Sequence, residues 1–231
     1  MIIFDAVALK VLSEEQQAMK PLLEEFMKTH FLVGGTAIAL HLGHRRSIDF
    51  DLFTLHAQGT GTELSARIQK VGMQLEAGSS LHFLSTEEEP EALLLIKGVK
   101  VQLINFNRNP FGVDVTFPHD HVVCDGIMTP SLLDLAALKA FAMMYRKKWK
   151  DAVDLYFLLH SGDCTFTDVI ARTKEIFGIL YMEIATLETI LENAWDTTEA
   201  VEYLVKDVPQ DKEVREYLIL EAEKCFGNNK M

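Results

Sequence analysis

Asp49 and Asp51 stand two residues apart in Ile48–Phe53, a segment that reads as a β-strand. Side chains two apart on a strand share a face, so both carboxylates project together and the apolar residues between and beside them take the opposite face. Paired carboxylates are hard oxygen ligands of the kind Mg²⁺ takes and shares with substrate phosphates. Upstream, the strand-like Phe31–Val33 runs into Gly34, Gly35 and Thr36 and then into an apolar-periodic helix. Glycines at a helix start let backbone N–H groups approach a phosphate, and the helix N-terminus favours its negative charge. Arg45 and Ser47 add phosphate-type donors just before the two acids. A Gly-Gly turn alone is an ordinary strand–helix turn, and two acids alone are an ordinary solvated sheet face. Their combination points to a site for a metal–nucleoside triphosphate complex.

A second block runs from Lys139 to Tyr156. Lys139 lies within an otherwise apolar helix that includes Leu132, Leu135, Leu138 and Phe141. Lysine is almost never buried without a partner, so this one either snorkels to the helix edge or faces a site. Asp151 and Asp154 are three apart and lie near one helical face. The plain alternatives are a capping role for Asp151 in a first turn and a solvated helix end for Arg146 to Lys150.

The elements that must position these groups fall into two parts. Ser13, followed three residues on by Gln16, has the form of a capping box, and Met19, Leu22, Leu23, Phe26 and Met27 follow at helical spacing. A helix over Thr36–His41, a strand over Ile48–Thr54, a helix over Thr62–Val71 and strands over Met73–Ala77, Leu81–Ser85, Ala92–Ile96 and Val99–Phe106 come next. Lys97-Gly98 reads as a tight hairpin turn. Residues 107–129 are loop-rich, and Pro130 suits the first position of a helix. Ser131–Tyr145, Asp151–His160, Thr167–Phe177, Glu183–Asn193, Thr198–Val205 and Asp211–Phe226 all read as helices. The pattern predicts an α+β domain over residues 1–128 and a helical domain over 129–231.

Composition bounds the function. The 231 residues are 48% hydrophobic and 24% charged, near the averages for globular proteins, so a substantial core is expected. A net charge of −12 argues against a surface that is a nucleic-acid footprint throughout. It leaves a local patch from Lys139 to Lys150, with five Lys or Arg and no acid. Cys124, Cys164 and Cys225 are odd in number and far apart, which indicates neither a zinc knuckle nor a disulfide framework. Residues 1–10 lack a basic segment and are interrupted by Asp5, a poor signal peptide. No apolar run reaches the ~20 residues a bilayer span needs. The expectation is a soluble, cytoplasmic protein without a membrane partner.

Gly34-Gly35-Thr36, the run Arg45, Ser47, Asp49, Asp51, and the later Lys139, Arg146, Lys150, Asp151, Asp154 and Tyr156 together resemble the AbiEii/AbiGii toxin-type nucleotidyltransferases. These belong to the DNA-polymerase-β-like nucleotidyltransferase superfamily. The resemblance covers roughly residues 30–160. It implies a mixed sheet with flanking helices, followed by a helical bundle that completes the active site. It implies that Gly34 and Gly35 receive the triphosphate and that Thr36, Arg45, Ser47, Arg146 and Lys150 help bind the nucleotide. Asp49 and Asp51 would bind Mg²⁺ or Mn²⁺, Lys139 would contact phosphates as a point charge, and Asp151 or Asp154 would orient basic residues or activate the acceptor. The implied reaction is in-line attack of an acceptor on the α-phosphate of an NTP, with RNA such as tRNA, or protein, as acceptor and an antitoxin protein as partner.

The sequence departs from the superfamily at one place. A third metal carboxylate is often found on a later strand, and Gln102 occupies that place here, with Asp114 as a nearby substitute. A catalytically degenerate nucleotide- or partner-binding member, and a small-molecule nucleotidyltransferase, therefore stay open. Other groups read more simply. His119-Asp120-His121 with Cys124 and Asp125 reads as a polar strand or loop rather than a zinc cluster. Phe106, Phe111 and Phe117 read as core, Glu87–Glu91 as a solvated loop, and Trp195, Tyr203 and Tyr217 as bundle core.

Overall fold

The computed structural model describes residues 2–3, 5–54, 91–104, 121–124, 126–192 and 194–227. They divide into two compact units, one of Met1–Thr36 with Ser47–Pro130, the other of Ala37–Arg46 with Ser131–Met231.

The first unit is α+β. Helices α1 (Ala8–Val11), α2 (Glu14–Ala18) and α3 (Lys20–Phe26) lead into strand β1 (His30–Val33). Helix α4 (Gly34–Leu42) starts at once and from Ala37 on belongs to the second unit, while β2 (Asp49–Thr54), β3 (Glu91–Ile96) and β4 (Val99–Ile104) complete a mixed sheet in the order β1-β2-β4-β3. Strand β2 is antiparallel to β1 and parallel to β4. Its alternation decides which face carries charge: Phe50 and Leu52 are fully buried, while Asp49, Asp51 and Phe53 are half-exposed. Strand β4 repeats the pattern, with Val99, Val101 and Leu103 buried and Lys100, Gln102 and Ile104 half-exposed. The β3–β4 turn is the two-residue hairpin expected at Lys97-Gly98, both with positive φ (50° and 82°). Strands β5 (His121–Cys124) and β6 (Ile127–Pro130) form a separate hairpin, and β6 runs beside β1.

The second unit is helical: α5 (Leu132–Met143), α6 (Trp149–His160), α7 (Phe166–Phe177), a 3₁₀ turn at Gly178–Leu180, α8 (Glu183–Glu192) and α9 (Asp211–Gly227). Leu135, Val153, Leu155, Phe166, Val169, Leu187 and Leu218 form its core. Thr186 and Thr189 of α8, both buried, donate their hydroxyls to the carbonyls of Ala140 and Met143 at 2.8 and 2.9 Å. These bonds satisfy α5 carbonyls near its C-terminus and clamp α8 to it.

Several local readings change. The helix expected after Ser13 is two helices, although the capping box of Ser13 and Gln16 is present. Pro21 causes the break, because its ring excludes the carbonyl four residues before it and it has no N–H to donate. Pro130 ends β6, and Ser131 caps α5 by accepting from the Asp134 amide at 3.2 Å. Thr198–Val205 is not helical. Its stretch at 202–204 pairs with 44–46 in the helical unit: the Leu204 amide donates to the His44 carbonyl at 2.9 Å, and the Arg46 amide donates to the Glu202 carbonyl at 2.8 Å. Pairing with a distant segment overrides the local propensity. Trp195, Tyr203 and Tyr217 are half-buried, Trp195 edge-on to Trp149 at 6.3 Å. The elements expected over Thr62–Val71, Met73–Ala77 and Leu81–Ser85 lie outside the described residues, as do Asp114, His119, Phe106, Phe111 and Phe117.

Candidate functional site

In the α+β unit the glycine turn and the acid-bearing strand meet. Gly34 ends β1 and opens α4 with φ +70°, a conformation that costs a side-chain-bearing residue roughly 1–2 kcal/mol. In the pairing of β1 with β2, Val33 stands opposite Asp51, which brings the Asp51 carboxylate against the Gly34 backbone. A Cβ on residue 34 would collide with Asp51 Oδ2 and lie 3.2 Å from its Cγ. Glycine is therefore favoured by the sign of φ, and any side chain at position 34 would have to displace the Asp51 carboxylate. The carboxylate lies at the start of a helix, where the dipole favours negative charge.

Thr36 joins the helix start to the strand. Its hydroxyl, buried, lies 2.7 Å from Ser47 Oγ and within a short hydrogen bond of the Asp49 carbonyl oxygen. A hydroxyl has one proton and a carbonyl only accepts, so Thr36 donates to Asp49 and Ser47 donates to Thr36. The two side chains fix the backbone at Asp49 and leave its carboxylate on the half-exposed face.

Strand β4 supplies the other side of that face. In the parallel register Asp51 stands beside Gln102, and Asp49 beside Lys100. Two carboxylates, one amide and one ammonium thus share one patch of sheet. Gln102 occupies the place expected of a third carboxylate. Among the described residues no cluster of three His, Cys, Asp or Glu is arranged to hold a metal. The hard oxygen donors of Asp49 and Asp51, on one strand face beside the Gly34 cradle, do suit a divalent ion. Lys100 is a member of this face that the sequence alone does not single out. Its signal is a spacing of two from Gln102, which puts both on one face once the strand pairing is known.

The helical unit gathers the second block into a buried ion network. Asp154 accepts from Arg45 through Nε at 2.6 Å and Nη2 at 2.8 Å, and from His44 Nε2 at 2.9 Å. Lys139 Nζ bridges Asp151 Oδ1 at 2.7 Å and Asp154 Oδ2 at 2.8 Å. Arg146 closes the chain on Asp151 with Nε at 2.8 Å and Nη2 at 3.1 Å. Asp151 and Asp154 are fully buried and Lys139 is 4% exposed. Burial pushes the Asp154 carboxyl up, but Arg45 and Lys139 outweigh it and hold the group well below the usual range. Asp151 is likewise buried yet lowered by Lys139 and Arg146. Burial opposes the charge on Lys139, and the two aspartates reverse that, raising its pKa. His44 is lowered by its burial, which exceeds the pull of Asp154, so the imidazole is neutral and donates through Nε2. His44 carries no mark in the sequence, because its partner is 110 residues away.

The basic patch at 146–150 is met by acids of the same unit. Lys147 pairs with Glu192. Lys148 reaches Asp196 at 2.7 Å and Glu199 at 3.1 Å, and Lys150 reaches Glu199 at 2.5 Å.

The mixed sheet with flanking helices is the nucleotidyltransferase class of fold. Residues 19–202 match the family of the nucleotidyl transferase AbiEii toxin of type IV toxin–antitoxin systems, and the chain belongs to that family. An uncharacterized protein of Aquifex aeolicus (strain VF5), aq_aa25, is 26% identical over 215 residues, covering 90% of this chain and 98% of that one. The structure of JHP933 from Helicobacter pylori is similar in fold, with a TM-score of 0.56 at 18% identity over 94% of this chain and 96% of that one. Another solved structure from H. pylori, described as that of a nucleotidyltransferase, gives 0.54 at 16% identity over the same shares. No helix among the described residues is long and apolar enough to cross a membrane.

Proposed function

We propose that this chain is a metal-dependent nucleotidyltransferase that moves an NMP from an NTP to an acceptor and releases pyrophosphate. The observation that carries the reading is the Asp49/Asp51 face, opened by a positive-φ glycine that admits the Asp51 carboxylate to the helix start. Asp49 and Asp51 hold the divalent ion, Mg²⁺ or Mn²⁺, which when bound supplies charge stabilisation to the transferring phosphate. Gly34 and Gly35 open the helix whose backbone N–H groups would meet the triphosphate, beside the Asp51 carboxylate that lies against Gly34. Thr36 and Ser47, whose hydroxyls are engaged with each other and with the Asp49 carbonyl, position the strand rather than touch the nucleotide. In-line attack by an acceptor hydroxyl on the α-phosphate follows from holding the triphosphate in one orientation.

Lys139, Asp151, Asp154, Arg45 and Arg146 act as a holding network for the helical unit. Their mutual ion pairs support that reading over direct phosphate contact. Lys147, Lys148 and Lys150 are paired with acids, so a polynucleotide acceptor such as tRNA would be held elsewhere. Family membership supports a role as the toxin of a toxin–antitoxin pair, with an antitoxin protein as partner. The test is NTP-dependent labelling of bulk RNA and protein by the wild-type chain and by Asp49→Asn and Asp51→Asn. Labelling that survives both substitutions sinks the proposal.

A second reading rests on Gln102. A neutral amide beside Asp51, in place of a carboxylate, favours a member that binds nucleotide without transferring it. Mg–NTP binding by calorimetry with no transfer to any acceptor, RNA, protein or small molecule, would select it.

A further inference from the structure

The register of β2 with β4 puts Lys100 beside Asp49 and Gln102 beside Asp51 on one half-exposed face. Adjacent strands are about 4.8 Å apart, well within reach of a lysine stem. Yet among the described residues no carboxylate lies within ion-pair distance of Lys100. Its neighbours across β3 in the same register are apolar, since Lys100 faces Leu95 and Gln102 faces Leu93. An ammonium held on a carboxylate face without an ion pair, walled by leucines, is placed for an anion that is not part of the protein.

The same register limits how many cations the face accepts. Two divalent ions about 3.5–4 Å apart need bridging carboxylates and further anionic ligands. Among the described residues this face holds two carboxylates, and the groups flanking them on β4 are a neutral amide and an ammonium. Gln102 offers one weak oxygen, and Lys100 repels a second cation next to Asp49.

We propose that the site takes a single divalent cation on Asp49 and Asp51, and that Lys100 supplies the second positive charge by contacting the triphosphate. This rests on the nucleotidyltransferase reading of that face. Lysine is a compact point charge with three donors, suited to a phosphate oxygen at the position a second ion would otherwise neutralise. Residues 100 and 102 then set the cation count of the site.

Equilibrium dialysis of the full chain tests it, with Mn²⁺ read by electron paramagnetic resonance. The probes are the four ribonucleoside triphosphates bearing a methylene bridge between α and β phosphorus, which cannot transfer. One Mn²⁺ per bound nucleotide is expected for the wild-type chain. Lys100→Ala should keep the chain folded and weaken nucleotide binding about tenfold, as removing one charge-assisted hydrogen bond does. Gln102→Asp should raise the count to two. Two Mn²⁺ per nucleotide in the wild type, unchanged affinity in Lys100→Ala, or a count that stays at one in Gln102→Asp would each overturn the inference. A folded wild-type chain that binds none of the four nucleotides overturns the nucleotidyltransferase reading itself, and the inference with it.

Discussion

The carboxylate of Asp51 occupies the space in which a side chain on residue 34 would begin. The relationship joins a backbone requirement to a chemical one, because the same glycine that turns the chain from β1 into α4 makes room for the acid. Gly34→Ala is therefore expected to cost roughly 1–2 kcal/mol from the positive φ alone and to push Asp51 aside. Nucleotidyl transfer should fall on the order of a hundredfold, as misplacing a reacting group by about an ångström does. The check is transfer rate against thermal midpoint: a rate that falls only in proportion to the folded fraction would contradict a displaced Asp51.

Thr36→Val removes the donor to the Asp49 carbonyl and the acceptor for Ser47. A buried polar group left without its partner costs about 1–3 kcal/mol. Thr36→Ser keeps the hydroxyl and should recover most of that stability. Urea midpoints of the two variants, compared with wild type, decide whether Thr36 is a positioning residue.

Asp154→Ala leaves buried Arg45 without its carboxylate partner and Lys139 with Asp151 alone. Breaking a buried pair from one side costs about 3–5 kcal/mol, a large share of a typical domain's stability. The variant should unfold at much lower denaturant, and a midpoint within error of wild type would refute the holding role.

Acid should weaken the helical unit in a defined order. His44 is held neutral with a lowered pKa, so the unfolded chain binds its proton more readily. That destabilises the fold as pH drops below about 6.5. Asp151 and Asp154 are depressed, so their contribution is complete above about pH 4, the ordinary carboxylate range, and is lost below it. Unfolding followed from pH 8 to 3 should show both declines. A His44→Gln variant with the same slope between pH 7 and 5 as wild type would show that His44 is not the titrating group.

The lysines at 147, 148 and 150 are expected to contribute nothing to RNA affinity. Converting all three to glutamine should leave the slope of log affinity against log salt unchanged, since each phosphate no longer neutralised shifts it by about 0.9 for duplex and 0.7 for single strands. A slope reduced by two or three units would restore the patch as an RNA surface.

What is legible in the sequence is local. The Ser13–Gln16 box, the two-residue turn at Lys97-Gly98 and the alternation of β2 each depend on neighbours within four residues, and each is present in the fold. Thr198–Val205 reads as a helix and is not one, because its conformation is set by His44 and Arg46, more than 150 residues earlier. Lys139 presents the same limit in another form. A lysine in an apolar helix announces that a partner or a ligand exists, but only the fold reveals that Asp151 and Asp154 take up its charge. Lys100 is silent in the sequence because a strand's face acquires meaning from the strand beside it.

The helical unit owns ten residues, Ala37–Arg46, that the gene encodes in the midst of the other unit. His44 and Arg45, which with Lys139 surround Asp154, are among them. A clone that begins at codon 131 would thus make a bundle whose central anion has lost its guanidinium, and one that stops at codon 130 would carry that guanidinium without its carboxylate. The two halves are not separable modules that recombination could trade between relatives; each cut of the reading frame wounds both.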